Sequence, residues 1–354
     1  MKLRHPGRVV AVVLAAALAL LVVRHERSQD TALNAPAASL AGFSVEYRVE
    51  TRAGGTRTET RNVQVRRPFD GRDASFDPTL SLGNSAFVSN GRHLYSQTGT
   101  SALDYGERIG APPGDYRLEA IAGDLVRLGL ARARGTRTVA GRVCRVYRTG
   151  APLGDPFKGA TAKEYADLCV GKDGLLLAER WYLNGKLLRD TEATSVDTSV
   201  PGDAAFAPPV GDLTANPTSF GAVKELSLTK PPNTGLPYWT ARRPPWGFAL
   251  RSRARTITSS TTSGSPQVTD IAYVDTYQRG HDAITVTHRE LSAAGAPPRG
   301  VEQVDAGALG AGQVTLTTSG AAIAFRAGKW VVTVQGPFDV AHLRFFAASL
   351  RRVG

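Results

Sequence analysis

The sequence predicts an α+β protein dominated by antiparallel sheet, in two domains behind an N-terminal apolar helix. Three observations carry this. Apolar and polar residues alternate over several segments, tight-turn dipeptides separate those segments, and no regular strand–helix–strand succession runs through the chain. A length of 354 residues exceeds one typical domain. Its 42% hydrophobic and 21% charged residues are those of a folded protein.

The apolar helix is read from the first residues. Lys2, Arg4 and Arg8 precede an unbroken apolar run from Val9 to Val23, which Arg24, His25, Glu26 and Arg27 end. Basic residues before an apolar core describe an export signal. The run falls short of the roughly 17–25 residues a spanning helix needs, but arginines at both edges can snorkel and extend it. No small-residue cleavage site follows the core closely; Ala35-Pro36-Ala37 lies well downstream, and no cysteine is placed for lipid attachment. The expectation is an uncleaved anchor in the plasma membrane over 1–40, with the bulk of the chain extracytoplasmic. A cleaved signal is the alternative.

Cys144 and Cys169 are the only cysteines. An even pair in an oxidising compartment suggests one disulfide, against two buried free thiols. A net charge of +12 raises nucleic acid as a partner, yet the basic residues are dispersed and no zinc spacing, helix-turn-helix or RNA-binding motif is present. No nucleic-acid partner is expected. For an exported chain, anionic head groups or wall polymers suit the charge better, or a diffuse arginine surface with no dedicated partner.

From 41 to 209 the pattern is one long antiparallel sheet. Phe43, Val45, Tyr47 and Val49 alternate with polar neighbours; Ala53-Gly54-Gly55 turns the chain and Thr58–Phe69 returns it. Asn90-Gly91 marks a hairpin between Phe87-Val88 and Leu94-Tyr95. Asp115–Ala133 carries an approximately helical stripe, Leu118, Ile121, Leu125, Leu128 and Leu130, with Gly135 as its stop. Strands resume at Thr136–Arg148, Glu164–Val170, Leu175–Leu183 and Lys186–Ser195, with Asp173-Gly174 and Asn184-Gly185 as tight turns. Residues 210–235, rich in proline and glycine, read as a linker with an ordered patch near Val223–Leu228. A smaller domain follows over 236–354. Its strands are expected at Phe248–Leu250, Ile271–Val274, Ala283–His288, Gln313–Thr318, Ala321–Phe325 and Trp330–Gln335. Asp339 caps a final short helix.

Val139-Ala140-Gly141-Arg142-Val143-Cys144-Arg145-Val146-Tyr147 resembles the G-x-x-C-x-x-Y strand of lipoprotein-carrier-like domains. The stretch Leu168 to Leu175, then Trp181, Gly185 and Phe206-Ala207-Pro208-Pro209, keeps the order found there. The resemblance covers 41–209, to the superfamily of LolA, LolB, LppX and the N-terminal domain of MucB and RseB. Pro245-Trp246-Gly247-Phe248 and Ala347-Ala348-Ser349-Leu350 resemble the opening and closing of the small C-terminal domain of extracytoplasmic sigma-factor regulators. The resemblance implies a strongly curved antiparallel sheet, an unclosed β-barrel with helices in its concave face. It also implies an apolar ligand there, with Phe43, Tyr47, Phe87, Tyr95 and Trp181 as cavity candidates, each of which can equally be core. A membrane-bound anti-sigma factor or another envelope protein is the implied partner, with Arg242, Arg243 and Trp246 as candidates for docking it. The implied function is a membrane-tethered regulatory binding protein. The alternative is a lipid or lipoprotein carrier.

Enzymatic chemistry is not expected. Gly-x-Ser-x-Gly, HExxH and a P-loop are missing, and the six histidines are scattered. Asp70, Asp73 and Asp77 stand among Pro68, Gly71 and Pro78 and read as turn chemistry rather than a calcium loop. Neither cofactor nor metal is expected.

Overall fold

A computed structural model describes residues 33–79, 84–107, 112–150, 152, 157–210, 212–215, 222–233, 238–260, 268–291 and 300–353. The expected anchor over 9–23 lies outside the described residues. Among those described, no helix is long and apolar enough to cross a membrane.

The first half lays down β1 (Gly42–Thr51), β2 (Arg57–Arg66), β3 (Asp70–Phe76), β4 (Asn84–Asn90), β5 (His93–Thr98) and β6 (Ser101–Glu107). Helix α1 (Leu118–Arg127) follows, then β7 (Ala131–Val139), β8 (Arg142–Thr149), β9 (Glu164–Gly171), β10 (Leu176–Leu183) and β11 (Lys186–Asp197). They pair antiparallel in the order β7-β8-β9-β10-β11-β1-β2-β3-β4-β5-β6, and β12 (Asp212–Ala215) adds to β6 in parallel. The sheet curls. In a flat sheet, β7 and β11 would lie about 19 Å apart at about 4.8 Å per strand, yet Arg137 on β7 bonds Glu192 on β11 at 2.6 Å. Its outermost strands β7 and β12 do not pair with each other, so the barrel stays unclosed.

Alternation decides what each face does. Phe43, Val45, Tyr47 and Val49 point to the inner face, where the register sets Phe43 opposite Val65 and Val45 opposite Val63. α1 covers this face with Leu118, Ile121 and Leu125, packed among Tyr147, Ala166 and Leu168. The loop before α1 covers the rest. Gly114, at φ +77°, lies so close to Val63 that any Cβ there would strike its side chain. Cys144 and Cys169 join β8 to β9 in a disulfide with Cα atoms 5.4 Å apart.

The second sheet runs β13-β15-β16-β17-β21-β20-β19-β18, all antiparallel. Its strands are β13 (Ala222–Ser227), β15 (Ala249–Ser260), β16 (Val268–Arg279), β17 (Asp282–Glu290), β18 (Glu302–Asp305), β19 (Ala311–Thr317), β20 (Gly320–Ala327) and β21 (Trp330–Gly336). A separate ribbon pairs β14 (Tyr238–Thr240) with β22 (Arg351–Val353). Helix α2 (Val340–Ala348) is capped by Asp339, whose carboxylate accepts from the His342 N–H at 2.8 Å. It buries Val340, Leu343 and Phe346 against Phe248 and Tyr277.

One apolar core runs through both sheets, from Leu118 and Leu168 to Ile323, Phe325 and Phe346. Polar bonds follow the same path: Asp124 on α1 accepts from the Val340 N–H at 2.8 Å, and Arg127 forks onto Glu302. Residues Ala38–Gly354 form one compact unit.

Several elements differ from expectation. The first helix stops at Arg127, because Gly129 takes φ +72° and the Leu130 N–H turns back to the Leu125 carbonyl. Gly135 is therefore no helix stop but a bulge within β7. The strand expected over Thr136–Arg148 is a hairpin, turned at Ala140-Gly141 with φ of +47° and +71°. Asp70 and Asp73, expected in a loop, belong to β3. Asp70 pairs with Arg66 at 2.6 Å and Asp73 with Arg61 at 2.6 Å, while Asp77 just beyond pairs with Arg57. Within 210–235 the ordered patch expected near Val223–Leu228 is β13, and β12 is a further strand that the linker reading did not include.

Candidate functional site

The outer face of β2–β5 carries a roofed cleft. Asn62, Ala74, Ala86 and Gln97 stand in register across four adjacent strands, so all four side chains share this face. Two alanines at the centre leave a shallow floor. The roof is a strap that leaves β11, passes through a 3-10 turn at Asp203–Phe206 and continues through Ala207-Pro208-Pro209 to Val210. Between floor and roof is a cleft of about 660 Å³, within the usual range for ligand pockets.

The strap is fastened at one end. Phe206 is buried, Arg66 stacks over its ring 5.0 Å from the centroid, and Arg66 also pairs with Asp203. Pro208 and Pro209 then carry the chain across the strands without N–H groups that would need partners. Apolar Ala74, Ala86, Phe76 and Val210 meet a rim of neutral amides and a hydroxyl, Asn62, Asn84, Gln97 and Thr60, with Arg72 as the charged liner among the described residues. Phe76 and Val210 are 50% and 92% exposed. Such a lining offers apolar contact and neutral hydrogen bonding.

The inner face is chemically different. Arg61 forks onto Asp73 and donates to the Tyr116 hydroxyl at 2.7 Å, and Arg189 reaches the buried Glu179 at 2.8 Å. Tyr47 gives its hydroxyl to the Leu176 carbonyl at 2.7 Å, and burial pushes its pKa well up. Burial, with Asp77 next, also raises Glu59. An apolar ligand entering here would displace α1 or strip these ion pairs of their partners.

A second, smaller cavity of about 160 Å³ lies between the sheets, lined by Pro68, Phe69, Pro112, Thr285, Gln335 and Pro337. A buried ionic chain borders it. Arg67 bonds Asp115 at 2.8 Å, Arg117 bonds Asp115 at 2.8 Å and Asp282 at 3.3 Å, and Ser39 donates to Asp282. Burial works to raise the Asp115 pKa, but Arg117 and Arg67 outweigh it and hold it below the ordinary carboxylate value.

The residues singled out from sequence scatter over these surfaces. Phe43 and Tyr47 are 3% exposed, packed in the inner-face core. Phe87 shares that face, opposite Asp73, but is 50% exposed. Tyr95 lies on the other face beside Val88, close to the cleft without lining it. Trp181 pairs across from Ala166 on β9, with its indole N–H buried and without a protein acceptor. Arg242 and Arg243 are exposed, whereas Trp246 stacks on Phe345 of α2 at 4.9 Å. Sequence reasoning missed the cleft residues. Asn62, Ala74, Ala86 and Gln97 are individually unremarkable, and only strand register assembles them; Pro208-Pro209 after Phe206 was the one available signal. Among the described residues, no group of three or more His, Cys, Asp or Glu is placed to hold a metal.

The chain matches no family model, and no curated protein matches it. Among solved structures it is similar to MucB. A crystal structure of MucB aligns over 88% of this chain and 93% of that one, with 18% identity and a TM-score of 0.31. The complex of Pseudomonas aeruginosa MucA and MucB gives 88% and 94%, with 16% identity and a TM-score of 0.32. MucB bound to MucA(peri) gives the same coverage and identity, with a TM-score of 0.30.

Proposed function

We propose that this chain is an extracytoplasmic regulatory binding protein, held to the membrane by 9–23, that works by binding rather than catalysis. Its partner is an envelope protein, and a membrane-bound anti-sigma factor is the class to test first. The observation that carries the reading is the outer cleft. An apolar floor under a tethered proline strap, rimmed by neutral amides, suits an apolar segment whose backbone still needs hydrogen bonds. The Cys144–Cys169 disulfide supports a location outside the reducing cytoplasm, and the basic, apolar N-terminus supports export.

The test is photo-crosslinking in intact cells from Asn84, which is exposed and shares the cleft face with Phe76 and Ala86, with Val143, 65% exposed and distant from it, as the control site. A defined envelope protein captured from Asn84 and not from Val143 is the expected result. Equal capture from both sites, or none, would count against the cleft. Lipid extraction of the natively purified protein separates the other occupant, since a stoichiometric acyl chain competing with the crosslink would favour a lipid ligand.

A further inference from the structure

β7 presents a free edge well away from the cleft. β7 is a terminal strand, and among the described residues only β8 pairs with it. Its residues from Arg132 to Thr136 are all exposed, on both faces, so the strand stands clear of the body it belongs to. Beyond Gly135 there is open space, with nothing within 4 Å of where a Cβ would sit. An edge of this kind presents unpaired N–H and C=O groups, which a further strand can satisfy.

Charge decides which strand. Arg132 and Arg134 form no ion pair among the described residues, and exposed Arg145 stands opposite Thr136 on β8. Farther along, Arg137 and Arg148 are already matched to Glu192 and Asp167. The unmatched Arg132 and Arg134 therefore stand at the exposed part of the edge, with Arg145 beside them. A second copy of this chain would bring the same arginines and be repelled; an acidic strand would be drawn in. We infer that β7 is a docking edge for an acidic, extended polypeptide segment that adds to the sheet beyond Arg132–Thr136. The bulge at Gly135 limits this to a short stretch on either side of it.

The experiment uses the full chain and two labelled synthetic peptides of equal length and charge, one alternating glutamate with threonine, the other glutamate with proline. Only the first can donate a full ladder of backbone hydrogen bonds. The threonine peptide is expected to bind about tenfold or more tightly than the proline peptide, to weaken as salt is raised, and to slow amide exchange over 132–138. Arg132→Glu with Arg134→Glu should abolish binding, while the thermal transition stays in place because both residues are exposed. Equal binding of the two peptides would overturn strand addition and leave charge alone. Binding of phosphatidylglycerol vesicles through the same arginines, with neither peptide competing, would overturn it in favour of a membrane surface. The cleft crosslink at Asn84 should persist in the double variant, so failure of one surface does not report on the other.

Discussion

Stability should fall as pH drops from about 6.5 towards 4, and His288 is the group to follow. It sits on β17 with no exposed surface. The Tyr238 ring stacks on it at 4.0 Å, Trp330 meets it edge-on at 6.1 Å, and its Nε2 accepts the Trp239 N–H at 3.2 Å. Burial pushes the His288 pKa down to about 4, against the attraction of Asp275, and a nitrogen that accepts a hydrogen bond is unprotonated there. In the unfolded chain the ring titrates near 6.5. Between these values the unfolded state binds more protons, so stability is full above about 6.5 and is lost as pH falls through the folded value. The slope is up to about 1.4 kcal/mol per pH unit, or about 3 kcal/mol across the window. Asp115, whose pKa is lowered, acts in the same direction only below the ordinary carboxylate range, so the two effects separate. Urea melts of the wild type and of His288→Gln, whose amide oxygen can still accept from Trp239, supply the measurement. The variant should be less stable near neutrality but nearly flat over this window. An unchanged slope in His288→Gln would refute the reasoning.

Four further outcomes follow from the packing. Replacing Cys144 and Cys169 together by serine frees a loop with a sequence separation of 25 and should cost about 3.5 kcal/mol in the chain-entropy account, read as a lower urea midpoint. Asp115→Asn leaves Arg67 and Arg117 short of charge at a site 2% exposed on the aspartate; about 3–5 kcal/mol should be lost in chemical denaturation. Phe206→Ala removes the strap's buried anchor, so protease cleavage between 203 and 210 should accelerate and about 3 kcal/mol or less be lost, since the strap can relax. Asp339→Ala should cost about 1 kcal/mol in thermal unfolding through the lost cap of α2.

How much of this was legible depended on which force made each element. β1, β4, β5, β10 and β11 carry their own alternation and their own turn dipeptides, so sequence alone located them. β3 was hidden because Asp70 and Asp73 look like turn residues until β2 supplies arginines opposite them. α1 was drawn too long because Leu128 and Leu130 continue the helical spacing, whereas the positive φ of Gly129 had already ended the helix. The cleft was invisible for a related reason: its floor takes one residue from each of four strands, and no local pattern links Asn62 to Gln97. The curved sheet with a helix on its inner face was expected from the family resemblance. That α1 and the ion pairs of Arg61 and Arg189 occupy that side depends on long-range pairing no single segment announces.

The apolar seam from Leu118 to Phe346 has a practical outcome for anyone who would dissect the protein. Separating the chain after the strap would leave α1 with its leucines against water on one side and β20 stripped of its cover on the other. The two fragments should each prove sticky when made singly and should regain solubility when made together. With one shared core, the two halves should unfold together in a single transition rather than in two.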